Sequence, residues 1–196
     1  KYASASCSLK PSGKEARQDA LAGGRVKKDG LFEQPSCKLL VRPGILNVMG
    51  DRRLETLSFD NTYARLPEAF YAKMNPTAFS SAPYLVSFNP SAAELIDLNP
   101  DEAKRPEFAA LFGGGMLAPD MTPLAMLYSG HQFGVYVPQL GDGRAILLGE
   151  ERNGRGERWD LHLKGAGMTP FSRVGDGRAV LRSTIREYLC SEAMHG

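Results

Sequence analysis

Residues Gln139 to Glu187 decide the fold, and they read QLGDGRAILLGEERNGRGERWDLHLKGAGMTPFSRVGDGRAVLRSTIRE. The run contains an apolar strand after a glycine turn, an alternating strand that ends at Lys164, a second glycine turn and a helical pattern. Alternation of apolar and polar residues is typical of a strand, and apolar residues spaced three to four apart predict a helix. We therefore expect an α+β fold of antiparallel strands plus a helix.

The first glycine turn, Gly141 to Arg144, lies between two predicted strands, Tyr136 to Leu140 and Ala145 to Gly149. Asp-Gly is a strong hairpin signal. Glycine on both sides of Asp142 leaves backbone N–H groups open to phosphate oxygens, and Arg144 adds a charged donor. The turn predicts either a phosphate-binding loop or an ordinary surface hairpin, because a lone glycine motif is a weak signal.

Lys164 ends the next predicted strand, and Glu187 lies on the helical pattern that follows. In kinase-type sites a strand lysine contacts the phosphates and a helix glutamate holds that lysine. The alternative is that Glu187 forms a capping box with Thr184, which precedes it by three residues. Apolar residues keep a helical spacing from Ala179 onward, which favours a helix that begins before Thr184 and therefore favours the ion pair.

Several long blocks of the sequence match one family of proteins. The blocks are Tyr128–Gly134 (YSGHQFG), Leu140–Arg144 (LGDGR), Trp159–Gly167 (WDLHLKGAG), Ser172–Arg173 (SR), Gly175–Ser183 (GDGRAVLRS) and Ile185–Glu187 (IRE). With them the chain closely resembles selenoprotein O, the YdiU family of protein adenylyltransferases. The resemblance begins near Leu57 and covers about 140 of the 196 residues.

The resemblance implies a protein-kinase-like fold, of which this chain holds mainly the N-terminal ATP-binding lobe and is truncated. It implies an enzyme that binds ATP in a flipped orientation and transfers AMP to Ser, Thr or Tyr hydroxyls of other proteins, with Mg²⁺ or Mn²⁺ in the full-length protein. Its catalytic base and metal ligands lie beyond Gly196, so we assign no catalytic or metal residue here and expect the chain alone to be inactive. The nucleotide-binding residues that it implies are Gly141, Gly143, Arg144, Lys164, Asp176 and Gly177, with Glu187 positioning Lys164.

Two other functions stay open, a phosphoryl-transferring kinase and a non-catalytic ATP-binding pseudokinase scaffold. A dinucleotide enzyme is disfavoured, because the first glycine turn lies between predicted strands rather than at a helix N-terminus. His131 and His162 lack a partner acid or cysteine at a triad-like position, so we interpret both as structural.

Composition excludes several classes of partner. Hydrophobic residues make up 42% of the chain and the net charge is only +2, which argues against a nucleic-acid-binding surface. No apolar run approaches the ~18 residues of a membrane span. The three cysteines lack metal-type spacing and indicate reduced thiols, so we expect a cytoplasmic protein, or a mitochondrial one in a eukaryote.

We expect three parts along the chain. Residues 1–50 hold nine Lys or Arg and four Asp or Glu, and we expect a basic, disordered leader or non-native extension, with Met49 as a candidate true start. Residues 51–127 are expected to form a helical and strand scaffold, and residues 128–196 a truncated nucleotide-binding lobe. Within the scaffold we predict a short helix over 66–72, a strand over 84–88, a helix from Ser91 to Leu98 capped by Ser91, and a helical stretch over 101–112 that Pro106 restarts.

Overall fold

The structure is a computed structural model that describes residues 3–4, 6–11 and 50–195. Its strands are β1 (Ala3–Ser4), β2 (Ser6–Pro11), β3 (Tyr71–Lys73), β4 (Leu124–Met126), β5 (Gly130–Gln132), β6 (Val135–Val137), β7 (Ala145–Arg152), β8 (Arg158–Lys164) and β9 (Ala179–Val180). Its α-helices are α1 (Pro90–Leu95), α2 (Pro106–Phe112) and α3 (Leu181–His195). Short 3₁₀ helices cover Leu54–Thr56, Tyr63–Arg65, Glu68–Phe70 and Pro100–Lys104.

The centre of the fold is a five-stranded antiparallel sheet in the order β2-β8-β7-β4-β3. Two smaller sheets pair β1 with β9 and β5 with β6. The expected mixed α+β architecture with antiparallel strands is therefore confirmed. No helix of residues 50–195 is long and apolar enough to cross a membrane.

The β7–β8 hairpin supplies the middle of the sheet, and its turn is shaped by Asn153. The side-chain Oδ1 of Asn153 accepts hydrogen bonds from the backbone N–H groups of Arg155 (3.1 Å) and Glu157 (2.9 Å). Such a local side-chain bond favours a turn over continued pairing. The hairpin therefore brings Lys164, at the end of β8, opposite Ala145 at the start of β7.

Helices α1 and α2 cover one face of the sheet with apolar residues. The side chain of Asn89 caps α1 by accepting from the N–H of Ala92 at 3.2 Å, so the cap lies two residues before the predicted Ser91. The two helices and the residues beside them pack against β7 and β8 in one core: Leu54, Ile96, Leu98, Phe108, Leu111, Ile146, Leu148, Leu161 and Leu163. Burial of such side chains is the main stabilising contribution to a domain of this size.

Two further expectations for the scaffold were wrong. Residues 84–88 form no strand, and Tyr84 and Val86 are 70% and 66% exposed. β-Propensity alone is insufficient, because a strand needs a neighbouring edge for its hydrogen bonds. The helix expected over 66–72 is only a 3₁₀ turn followed by β3. The break before α2 at Pro106 is confirmed.

The hairpin expected at the first glycine turn was also wrong. β6 pairs with β5 through a two-residue turn at Phe133-Gly134, where both residues have positive φ (52° and 78°). Such turns match the twist of paired strands, and glycine tolerates positive φ without strain. The first glycine turn therefore lies between a separate small hairpin and β7.

Two short segments of residues 1–50 are strands in the structure. β1 pairs with β9 and β2 pairs with β8, which gives the outer edge of β8 a partner. An unpaired edge presents N–H and C=O groups that a passing segment can satisfy. Residues 12–49, including the candidate start Met49, lie outside the described residues.

Helix α3 begins at Leu181, three residues before Thr184. The hydroxyl of Thr184 donates to the carbonyl of Val180 at 3.4 Å, a bond to the residue four positions earlier. Thr184 is therefore an interior helix residue, and the capping-box alternative for Glu187 was wrong.

Candidate anion-binding cleft

A cleft of about 810 Å³ lies between the first glycine turn and the segment that follows β8. It brings together every residue that the family resemblance implies for the nucleotide: Gly141, Gly143, Arg144, Lys164, Asp176 and Gly177. Glu187 is not among the residues that line it. The cleft also contains Arg173 and Arg178, so four cationic side chains face two carboxylates, those of Asp142 and Asp176.

The first wall is the glycine loop, residues 140–144. Its backbone is tied to the end of β4, because the N–H of Asp142 donates to the carbonyl of Met126 (2.9 Å) and the N–H of Met126 donates to the Asp142 carboxylate (3.1 Å). Asp142 is only 8% exposed. The N–H groups of Gly141 and Gly143 bond to no other group of residues 50–195, which leaves them available to an anion.

Close packing against Phe171 explains the glycine at position 141. A Cβ there would lie 2.6 Å from the Phe171 ring, and the backbone φ is +154°. Gly143 is less constrained, because its Cβ would meet the Phe171 carbonyl oxygen at 3.1 Å. Space therefore requires glycine at position 141, whereas at position 143 a Cβ would only make a tight contact with the Phe171 backbone.

The cationic centre of the cleft is built from Arg144, just before β7, and Lys164, at the end of β8. The N–H of Gly165 donates to the carbonyl of Arg144 at 2.7 Å, which joins the glycine loop to the residue after Lys164. Among residues 50–195, neither Arg144 nor Lys164 forms a side-chain ion pair. Both side chains therefore carry charge that a bound anion would neutralise.

The second wall is the second glycine turn, residues 175–177. The carboxylate of Asp176 accepts from the N–H of Arg178 at 3.0 Å, and the N–H of Gly167 donates to the carbonyl of Gly177 at 3.3 Å. A Cβ on Gly177 would lie 2.1 Å from the backbone of Gly167. The turn therefore packs backbone against backbone.

Arg178 is fixed from outside the cleft. Its guanidinium donates to the carbonyl of Ala78 at 2.7 Å and lies over the Phe79 ring at 4.6 Å, a cation–π distance. These contacts hold one of the four cationic side chains in a single place.

Glu187 is half-buried on α3, and no ion pair joins it to Lys164 in the part of the chain that the structure describes. The positioning role of Glu187 stays a prediction. His131 packs edge to face on Tyr136 with ring centroids 5.4 Å apart, and His162 is buried on β8 with its Nε2 3.8 Å from Asp160. Neither histidine lines the cleft, in keeping with structural roles.

Sequence reasoning missed the two hydroxyl side chains that hold the glycine loop in place. The Thr169 hydroxyl donates to the carbonyl of Asp142 at 2.6 Å, and the Ser172 hydroxyl donates to the carbonyl of Gly143. Two hydroxyl residues three apart around Pro170 form a known turn pattern, so the turn itself could have been predicted. The group that the Thr169 hydroxyl binds could not have been predicted, because it lies in a loop 27 residues earlier in the chain.

The fold and the cleft define a mixed α+β protein with a glycine-lined, mainly cationic cleft, whose volume is typical of small-ligand sites. Residues 53–196 match the family described as Protein adenylyltransferase SelO. The chain belongs to the SelO family.

Several relatives carry the name Protein nucleotidyltransferase YdiU. The chain is similar to the one from Myxococcus xanthus, with 68% identity over 143 residues, which are 73% of this chain and 29% of the relative. It is 63% identical to the one from Thiobacillus denitrificans over 142 residues, which are 72% of this chain and 29% of the relative. It is 60% identical to one from Pseudomonas fluorescens over 144 residues, which are 74% of this chain and 29% of the relative. The chain therefore spans about 29% of the length of these curated relatives.

Proposed function

We propose that this protein is an adenylyltransferase that transfers AMP from ATP to Ser, Thr or Tyr hydroxyls of other proteins. Membership of the SelO family supports the reaction class. The observation that carries the proposal is the cleft, where unpartnered loop N–H groups lie beside Arg144 and Lys164, neither of which is neutralised by an ion pair among residues 50–195. This combination suits the triphosphate of ATP.

We also propose that β4, β7, β8 and α3 form the ATP-binding lobe of a kinase-like fold. In such lobes a glycine-containing loop joins two neighbouring strands, a lysine lies on the next strand and a helix follows. Here β4 and β7 are neighbours, the glycine loop precedes β7, and Lys164 ends β8. The second glycine turn lies between Lys164 and α3 and forms a second wall of the cleft. A second anion-binding wall fits ATP bound in the flipped orientation.

Glu187 is assigned the role of positioning Lys164 when ATP is bound. Lysine has a flexible four-carbon stem, so a nearby carboxylate restricts where its charge lies. Glu187 lies on α3, two turns into the helix that follows the second glycine turn. The assignment predicts that Glu187→Gln weakens ATP binding less than Lys164→Ala does, because Gln keeps a hydrogen-bonding group and loses only the charge.

Magnesium or manganese belongs to the proposal as the counter-ion of the triphosphate. The described residues contain no group of three or more His, Cys, Asp or Glu side chains that could hold a metal ion. In the proposal, the described residues supply the phosphate contacts of the site. Cys190 is a free, exposed thiol, which is consistent with the cytoplasmic location that we propose.

The test uses the protein expressed from its full coding sequence, with ATP labelled at the α- or the γ-phosphate and a mixture of acceptor proteins. We expect label from the α position to become attached to protein, and Lys164→Ala to reduce it at least 100-fold. Lys73→Ala is the matched control, because Lys73 also ends a strand but has a 67% exposed side chain away from the cleft.

Transfer of label from the γ position would identify a phosphoryl-transferring kinase instead. Binding of ATP without transfer from either position would identify an ATP-binding scaffold. Either result would refute adenylyl transfer.

A further inference from the structure

We propose that Thr169 and Ser172 are positioning residues that hold the glycine loop in the conformation that binds phosphate. We name residues 169–172 the clamp. The inference rests on the proposed binding of ATP in the cleft. It assigns both residues a role through the backbone of the loop; Ser172 also lines the cleft, and Thr169 does not.

The clamp binds the glycine loop through the carbonyl oxygens of the loop. The Thr169 hydroxyl donates to the carbonyl of Asp142 at 2.6 Å, and the Ser172 hydroxyl donates to the carbonyl of Gly143. Thr169 is only 7% exposed, so water does not readily replace its bond. Two successive carbonyls of the loop are thus satisfied from one side.

Bonds within the clamp fix the direction of both hydroxyl protons. The Thr169 oxygen accepts from the N–H of Phe171 at 3.1 Å, and the Ser172 oxygen accepts from the N–H of Thr169 at 2.8 Å. Each oxygen therefore receives a backbone donor, and its single proton is left for the loop carbonyl. A third bond, from the N–H of Ser172 to the carbonyl of Thr169 at 3.0 Å, closes the turn.

The loop is held on its other sides as well. The Phe171 ring occupies the space where a side chain at Gly141 would lie, and the Asp142 carboxylate accepts from the N–H of Met126. The hydrogen bonds that hold the loop thus use its carbonyls, the Asp142 carboxylate and the N–H groups of Leu140 and Asp142. The N–H groups of Gly141 and Gly143 remain without a partner among residues 50–195.

This division of roles predicts what the clamp does for binding. Phosphate oxygens accept hydrogen bonds, so they need the N–H groups and are repelled by carbonyl oxygens. If the loop rotated its carbonyls into the cleft, both effects would oppose binding. Thr169 and Ser172 prevent this rotation by keeping the carbonyls paired, so the loop need not be ordered when ATP arrives.

The test compares Thr169→Val, which keeps the shape and removes the hydroxyl, with Thr169→Ser, which keeps the hydroxyl. A Thr169→Val and Ser172→Ala double variant removes both loop bonds. Thr62→Val is the matched control, since the Thr62 hydroxyl donates to Glu150 at 2.5 Å in a part-buried position outside the cleft. For each full-length variant, amide hydrogen exchange of residues 140–144 is measured without nucleotide, and the dissociation constant of ATP is measured by titration.

We expect Thr169→Val to speed exchange of the loop about 10-fold and to weaken ATP binding about 10-fold, which corresponds to ~1.4 kcal/mol. The double variant should show a larger change, and Thr169→Ser should stay within about 2-fold of the parent. Thr62→Val should change thermal stability but neither loop exchange nor ATP binding.

Unchanged loop exchange and ATP binding in the double variant would overturn the proposal, as would an equal effect of Thr62→Val. A parent protein that binds no ATP, with loop exchange still faster in Thr169→Val, would refute the proposed function and support the clamp as the element that fixes the loop. The two failures are therefore distinguishable.

Discussion

Gly177→Ala should separate backbone clash from backbone strain in the second glycine turn. Gly177 has φ +70°, and a Cβ there would lie 2.1 Å from the backbone carbonyl of Gly167. Gly134, at the tip of the β5–β6 hairpin, has φ +78° but nothing within 4 Å of its Cβ position. The two substitutions therefore share the cost of a left-handed backbone and differ only in the clash.

The shared cost is about 1–2 kcal/mol, the usual penalty for a side chain in the left-handed region. Ordinary contact between a Cβ and a backbone atom needs at least 3.4 Å, so the segments at Gly177 and Gly167 must separate by more than 1 Å. The clashing atoms belong to the backbone, so no flexible side chain can move aside to relieve the contact. We expect Gly134→Ala to cost about 1–2 kcal/mol, and Gly177→Ala to cost at least ~3 kcal/mol.

The assay is urea unfolding of the full-length variants followed by circular dichroism, together with titration by ATP. Gly177→Ala should also weaken ATP binding at least 10-fold, because the displaced turn lines the cleft. Gly134→Ala should leave ATP binding within about 2-fold of the parent. Equal loss of stability in the two variants would refute the packing argument, and unchanged ATP binding by a folded Gly177→Ala would refute the role of this turn in the cleft.

Three further predictions concern charge. Burial raises the pKa of Glu151 from 4.5 to about 7. Between these two pH values the folded state keeps a proton that the unfolded chain has lost, so the free energy of unfolding falls as pH rises from about 4.5 to about 7. In unfolding measurements at several pH values, Glu151→Gln should remove up to ~3 kcal/mol of that fall. Burial and then the charge of Asp142 raise the pKa of Tyr128, so Asp142→Asn should lower that pKa in a spectroscopic titration. ATP affinity should fall as salt concentration rises, since the cleft is mainly cationic and partly open.

Local patterns were enough to predict the parts of the fold that depend on neighbouring residues. The apolar residues of β7 and β8 predicted both strands, and the helical spacing after Ala179 predicted that α3 begins before Thr184. Alternation was an incomplete guide to burial, because His162 is buried on the face opposite Leu161 and Leu163. A central strand is covered on both faces, and only the full sheet shows which strand is central.

The sequence was less informative wherever the partner of a residue lies far along the chain. The apolar run over 84–88 looked like a strand, but no strand of the described residues pairs with it. The turn at Phe133-Gly134 was overlooked because Phe is an unusual residue at positive φ. The bonds from Thr169 and Ser172 to the glycine loop cross 27 and 29 residues, so no local pattern encodes them.

The clamp also explains why two glycine turns can serve one cleft. The segment that carries the clamp continues directly into the second glycine turn. The backbone of Gly167 holds that turn through a hydrogen bond and close packing at Gly177. A displacement of the glycine loop would therefore pull on the second turn through Ser172, only three residues before Gly175. The two walls form one preorganised unit, so the free energy of the proposed ATP binding would not be spent on ordering each wall separately. A loop held in this way differs from a glycine loop that closes over its nucleotide by moving, because the N–H groups of Gly141 and Gly143 bond to no other group of residues 50–195 and are available before the phosphates arrive.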